Sequence, residues 1–211
     1  MYKVSEHGEG FTIEEDDEPL TTPGGRLVRT TYRALADRLR DDLETYGDDP
    51  SDPVSLVAFH YAMIDFFADM SRLALERNVA SGLERENDWT FSCPTATPEP
   101  MMKWMGLFGT HSSQASDAEE WLSTLNRMQL CAGCVLGRAI ESVNIPYIVA
   151  TRLSSADVGD YAEEVSNFYP YADAEELAKY FENFLFYFSL EAPPEAKQEK
   201  ARKGRRAAAR R

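Results

Sequence analysis

The spacing of apolar positions changes character near residue 31. Before it, the short runs YKVSE, FTIEE and RLVRTT read as strands, separated by turn-forming residues at 7–10, 16–19 and 22–25. After it, Leu35, Leu39 and Leu43, with Tyr32, Ala36 and Tyr46 nearby, fall at three- and four-residue spacing and predict an amphipathic helix that Gly47 terminates. Beyond the acidic, proline-marked stop DDPSDP, the segment VSLVAFHYAMIDFFADMSRLALERNVASG is apolar around much of its circumference and predicts a helix largely inside the protein.

Prolines make DWTFSCPTATPEP extended or irregular, and it leads into a short apolar helix, PMMKWMGLFG. After the polar linker THSSQASD, Asp117 with Glu120 marks a helix start. From there Leu122, Leu125, Met128, Ala132, Val135, Ala139 and Val143 predict one continuous stripe. Gly133 and Gly137 interrupt it where a neighbouring helix can come close. Ser155 and Asp157 predict the cap of a helix reaching about Phe168, which Pro170 ends. In the last helix, ADAEELAKYFENFLFYFSLE, residues Leu177, Tyr180, Phe181, Phe184, Leu185 and Phe188 share one wide apolar face, read as core rather than as a binding stripe. Past Pro193-Pro194 nothing apolar remains to bury, so residues 192–211 are expected to form a disordered basic tail.

Composition adds charge to this picture. The chain has 211 residues, and 36 Asp and Glu against 22 Lys and Arg give a net charge of −14. The tail holds eight Lys/Arg and two Glu, which leaves the rest near −20. A body this acidic repels phosphate backbones, so nucleic acid is not expected as the main ligand. The tail itself reads first as a charge-balancing solvated end, and otherwise as a contact for an anionic surface or nucleic acid, or for an acidic client. Membrane insertion is not expected, since no apolar stretch reaches the roughly 20 residues a span needs. The opening MYKVSEHGEGFTIEEDDEP lacks both a secretory apolar run and the Arg-rich character of a transit peptide. The expected location is the cytoplasm of a bacterium, or the mitochondrial matrix if a transit peptide has been removed.

Candidate chemistry is sparse. Cys93, Cys131 and Cys134 are too few for a disulfide framework. Cys131-Ala-Gly-Cys134 has the spacing of a redox pair or half a zinc site, yet it falls mid-helix with no second ligand pair nearby, and two small packing residues are the favoured reading. His7, His60 and His111 form no metal-spaced pair; His60 reads as a hydrogen-bonded helix residue. Asp65 and Asp69 read as a capped or solvated carboxylate pair rather than an acid-base dyad. No nucleophile elbow or phosphate-cradling glycine loop occurs, so no enzymatic activity, cofactor or metal is expected.

In FTIEEDDEPLTTPGGRLVRT, residues 11–30, a strand leads through a turn to a second strand, and Asp16, Asp17, Pro19, Leu20, Thr22, Pro23 and Gly25 match an LDGRPLKTPAG-like pattern. This resembles the opening of the ATP12 family of assembly chaperones for the F1 part of ATP synthase. The resemblance continues through Ala34-Leu35-Ala36-Asp37, through DDPSDPVSL, and to Ala62-Met63-Ile64-Asp65, similar to the family's NTAID. Farther on, residues 88–93 and the small-residue helix 130–139 follow in order. Residues 161–176 overlie the family's C-terminal acidic motif, with Glu163 and Glu164 at its DE positions, Asn167 at its Gln, Tyr171 at its Trp and Glu176 at its later Glu. The chain departs from the family in carrying Asp16-Asp17-Glu18 at the turn, in lacking a Trp at the end of the first helix, and in replacing Trp-Gly by Tyr171-Ala172.

The resemblance implies an α+β fold with a small N-terminal β-rich domain over 1–32 and a larger α-helical domain over 33–191. It implies a non-enzymatic chaperone that binds the F1 α subunit and assists assembly of the F1 complex, with Glu163, Glu164, Asp173 and Glu176 as a client-binding surface. The departures favour, as the alternative, an adaptor of the same fold with a different client. An enzyme using Asp65, His60 or the cysteines is the more remote rival.

Overall fold

The computed structural model describes residues 1–49, 55–80, 120–142, 144–167 and 172–190. Cys93 and its extended segment, the expected helix at 100–109, His111, Asp117, Pro170, Tyr171 and the basic tail lie outside the described residues.

The fold is α+β. Strands β1 (Tyr2–His7) and β2 (Gly10–Glu15) form an antiparallel hairpin in register from Tyr2 opposite Glu15 to His7 opposite Gly10. Two short strands share the other edge of β2 at its two ends: β3 (Glu18–Pro19) beside Glu14 and Glu15, and β4 (Arg29–Thr30) beside Phe11 and Thr12. The β2–β3 connection runs through Asp16 and Asp17 at φ +50° and +71°, the backbone of a tight two-residue hairpin that favours Asp-Gly. Between β3 and β4 the chain leaves the sheet as a projecting hairpin. Val28 N–H donates to the Leu20 carbonyl (2.9 Å), Thr22 N–H to that of Arg26 (2.7 Å), and Gly25, at φ +75°, turns the tip.

Helix α1 (Arg33–Tyr46) lies on the sheet, burying Leu35, Ala36, Leu39 and Leu43, and ends where Gly47 at φ +80° returns its N–H to the Leu43 carbonyl. Asp42 is also buried, because its carboxylate accepts from the Ser55 hydroxyl (3.0 Å) and Val57 N–H (3.2 Å) and so closes the start of the next helix.

The single long helix expected after residue 54 is instead three pieces: α2 (Leu56–Ala62), a π-helical turn (Met63–Phe67) and α3 (Arg72–Ala80). Ser71 caps the restart, accepting from Ala74 N–H (3.2 Å). The expected stripe from Leu122 to Val143 is also broken. Residues 120–124 are helical, and α4 (Arg127–Ala139) begins afresh with a capping box between Asn126 and Gln129. Two arginines stabilise the breaks reciprocally. Arg72 donates to the Leu122 and Leu125 carbonyls (3.2 and 2.8 Å), and Arg127 to those of Ala68 (2.5 Å) and Met70. These are carbonyls that an unbroken helix would have satisfied internally.

Helices α5 (Asn144–Arg152), α6 (Val158–Ser166) and α7 (Ala174–Ser189) complete the helical part, with α6 packed along α7 and α4 touching α2, α3, α5 and α7. Asp157 precedes α6 but does not cap it; its carboxylate accepts from Ser154 N–H (3.0 Å) instead. On α7 the enclosed face includes Tyr187 along with Phe181 and Phe184, while Tyr180, Leu185 and Phe188 are only half-buried. Ile13, Leu20 and Val28 of the sheet belong to the same buried cluster as the helices. No described helix is long and apolar enough to cross a membrane.

Candidate functional site

The π-helical turn is wider than an α-helix and sets its side chains out of the regular register, a feature often found at functional sites. On one side it receives the projecting hairpin. Asp65 Oδ1 accepts the Thr22 hydroxyl at 2.5 Å and Oδ2 accepts Gly24 N–H at 3.0 Å. A methyl group on Gly24 would stand 2.6 Å from the Asp65 carboxylate, which would have to shift to admit it. Arg26 completes the clasp, donating to the Ile64 carbonyl (3.0 Å) and pairing with Asp69 (2.6 Å). The sequence motif residues Thr22 and Asp65 therefore meet across 43 positions of chain, with Pro23 and Gly25 in the hairpin that carries Thr22. Asp65 and Asp69 are not a mutual pair: each holds a different part of the hairpin. Asp17 and Pro19 stand apart from the clasp, at the β2–β3 turn, where Lys3 pairs with Asp17 (2.5 Å) and lowers its carboxyl pKa.

The other side of the turn borders a cleft of about 440 Å³. One wall is the chain leaving the sheet, Arg29 to Tyr32; the floor is His60, Met63, Ile64 and Ala68; the far wall is the first turn of α4, with Asn126, Arg127 and Met128, and Cys131. His60 is 5% exposed, and its Nδ1 lies 3.1 Å from the Tyr187 hydroxyl. Its Nε2 is buried without a hydrogen-bond partner among the described residues. Burial pushes the imidazole pKa down to about 4, with the Arg29 backbone opposing weakly, so the ring is neutral near pH 7. Arg29 and Arg127 form no ion pair among the described residues, whereas Arg26, Arg33, Arg40 and Arg72 each pair with a carboxylate.

Cys131 and Cys134 are both 5% exposed, their sulfurs directed at the carbonyls of Phe67 (3.9 Å) and Leu75 (3.6 Å). Burial raises the thiols to about 11 and about 12, which keeps them protonated and poor as nucleophiles or metal ligands. Among the described residues no group of three or more His, Cys, Asp or Glu is arranged to hold a metal ion.

The acidic segment divides in two. Glu163 is exposed on α6 and Glu164 beside it is half-buried. Asp173 and Glu176 face each other as the capping box of α7: Asp173 Oδ1 accepts Glu176 N–H (2.9 Å), and Glu176 Oε2 accepts Asp173 N–H (3.3 Å). Sequence reasoning missed Arg29, Arg127, Asn126 and Tyr187. The Asn-x-x-Gln spacing at 126–129 was a signal for the second break; nothing local marked the arginines.

No protein-family model matches the chain, and no curated protein matches it. Among solved structures it is similar to the Atu1473 protein, a candidate chaperone from Agrobacterium tumefaciens. The TM-score is 0.52 and the identity 17%, over 86% of this chain and 83% of that one. At that identity the likeness is one of fold: the small sheet followed by helices is shared over most of both molecules.

Proposed function

We propose that the chain is a chaperone of the ATP12 kind, a helper without enzymatic activity or cofactor that holds the F1 ATP synthase α subunit and assists assembly of the F1 complex. The observation that carries this reading is the shared fold with a candidate chaperone over 86% of the chain. The clasp adds to it, because the residues that resemble the ATP12 opening and the residues that resemble NTAID are bonded to one another. The buried, protonated thiols argue against a redox or zinc role for the CxxC pair. A division into a β-rich domain over 1–32 and a helical domain after it belongs to the same reading. In it, Glu163 and Glu164 face the client, while Asp173 and Glu176 support that face by fixing the start of α7.

A second reading, an adaptor of this fold with another client, is favoured by the turn at Asp16-Asp17-Glu18, whose residues are all exposed and acidic.

Refolding of denatured F1 α subunit in the presence of the chain tests the first reading. Light scattering should fall with added chain, and Glu163→Lys at the exposed position should weaken the effect, most strongly at low salt, while leaving the melting curve unchanged. Scattering that is indifferent to excess chain would reject the F1 α subunit as client and leave the adaptor reading.

A further inference from the structure

The cleft beside the π-helical turn combines features that specify a ligand. Its lining is partly apolar and adaptable, with Met63 in the floor and Met128 in the far wall, and unbranched thioethers reshape readily around different apolar side chains. Its rim is cationic: Arg29 and Arg127 both line it, together with the positive end of the 13-residue helix α4. Arg127 is held at the rim by the Ala68 and Met70 carbonyls, so its charge is fixed in position without being neutralised by a carboxylate among the described residues. None of the twelve lining residues is acidic, in a chain with 36 acidic residues and a net charge of −14.

We propose that this cleft is a peptide-binding site for a partner protein's extended segment in which an Asp or Glu carboxylate stands beside a large apolar side chain. The apolar side chain enters between Met63 and Met128, and the carboxylate meets Arg29 and Arg127. This deepens the reading of the chain as a protein-binding helper and rests on it, since it names the surface by which a client is selected. Against an acidic body, a cationic cleft accepts acidic segments that the acidic surface repels, which turns a charge pattern into selectivity.

The probes are two short fluorescein-labelled peptides with a central Leu-Phe pair, flanked by Asp in one and by Lys in the other, titrated against the full chain by fluorescence anisotropy. The Asp peptide should bind at least about tenfold more tightly than the Lys peptide. Arg29→Glu should erase or reverse that preference. Thr31→Glu, which adds charge at an exposed rim position, should act in the same direction, and melting curves on both variants confirm that they fold.

Equal binding of the two peptides, or a preference untouched in both folded variants, overturns the proposal. Competition by citrate as effective as that of unlabelled Asp peptide would assign the cleft to small anions and overturn the peptide. The refolding assay on the same variants separates this from the broader reading. Undiminished client protection by Arg29→Glu with no peptide preference would remove the cleft and keep the chaperone. Absent protection by the unaltered chain would remove the chaperone, and the peptide titration would still decide the cleft.

Discussion

The two sides of the Met63–Phe67 turn differ in how their polar groups are completed. On the clasp side, the Asp65 carboxylate receives the Thr22 hydroxyl and Gly24 N–H, and Arg26 finds both a carbonyl and a carboxylate. On the cleft side, Arg127 donates to two carbonyls but, like Arg29, meets no carboxylate among the described residues, and His60 is enclosed in neutral form. A folded chain pairs its buried polar groups because leaving one unpaired costs about 1–3 kcal/mol. Completed polarity makes the clasp part of the fold, whereas a guanidinium without a carboxylate leaves the cleft open to the anionic partner proposed for it.

The largest expected effect tests the cleft side. His60 titrates near 6.5 when unfolded and at about 4 when folded, because burial disfavours the imidazolium. The unfolded chain therefore binds the extra proton first. Stability contributed by neutral His60 is complete above about pH 6.5 and is lost as pH falls toward 4, by roughly 3 kcal/mol at the acid end. Urea denaturation across that window should show the loss, and His60→Gln, which cannot titrate, should flatten this part of the profile. An unchanged slope in the folded variant would mean that His60 is already charged or solvated, and the contrast between the two sides would fail. A smaller effect is expected on the clasp side. Asp65→Ala strands the buried Thr22 hydroxyl and frees the hairpin tip, costing about 2 kcal/mol by urea denaturation at pH 7. A cost near zero would show that the hairpin is held by its own turn rather than by the clasp.

Strands β1 and β2 and the individual helix faces were legible from spacing, because periodicity reports which face of an element is buried, whereas β3 falls at Glu18–Pro19, which reads as a turn. It does not report where an element stops when the apolar stripe runs on. Leu122, Leu125 and Leu130 are all buried on the two sides of the break at Asn126, so the stripe hides a capping box and an arginine seated on freed carbonyls. Thr22 and Asp65 were each visible as part of a motif, but their meeting was not, since no local pattern tells a hydroxyl which carboxylate it reaches 43 residues later. Asp173 and Glu176 show the opposite case. Their three-residue separation announces a capping box, and the structure gives them that role. The cleft was the least legible, because its walls come from residues 29–32, 60–68 and 126–131, and nothing in any one of these segments is unusual.

The smallest expected effect separates two arginines three positions apart. Arg26 belongs to the clasp: one guanidinium nitrogen bonds the Ile64 carbonyl and another pairs with Asp69, whose side chain is 79% exposed. Solvent screens that pair, and exposed ion pairs contribute little, so Arg26→Ala should lower stability by only about 0.5–1 kcal/mol, most of it from the lost bond to Ile64. Arg29 lines the cleft from an exposed position, and no ion pair holds it among the described residues. Arg29→Ala should therefore stay within about 0.5 kcal/mol of the unaltered chain. Paired urea denaturation curves at pH 7 and at two salt concentrations make the comparison. Salt should narrow the difference for Arg26→Ala and leave Arg29→Ala where it was. If Arg29→Ala proves as costly as Arg26→Ala, its guanidinium is part of the fold, and the cleft loses the cation on which its selectivity depends.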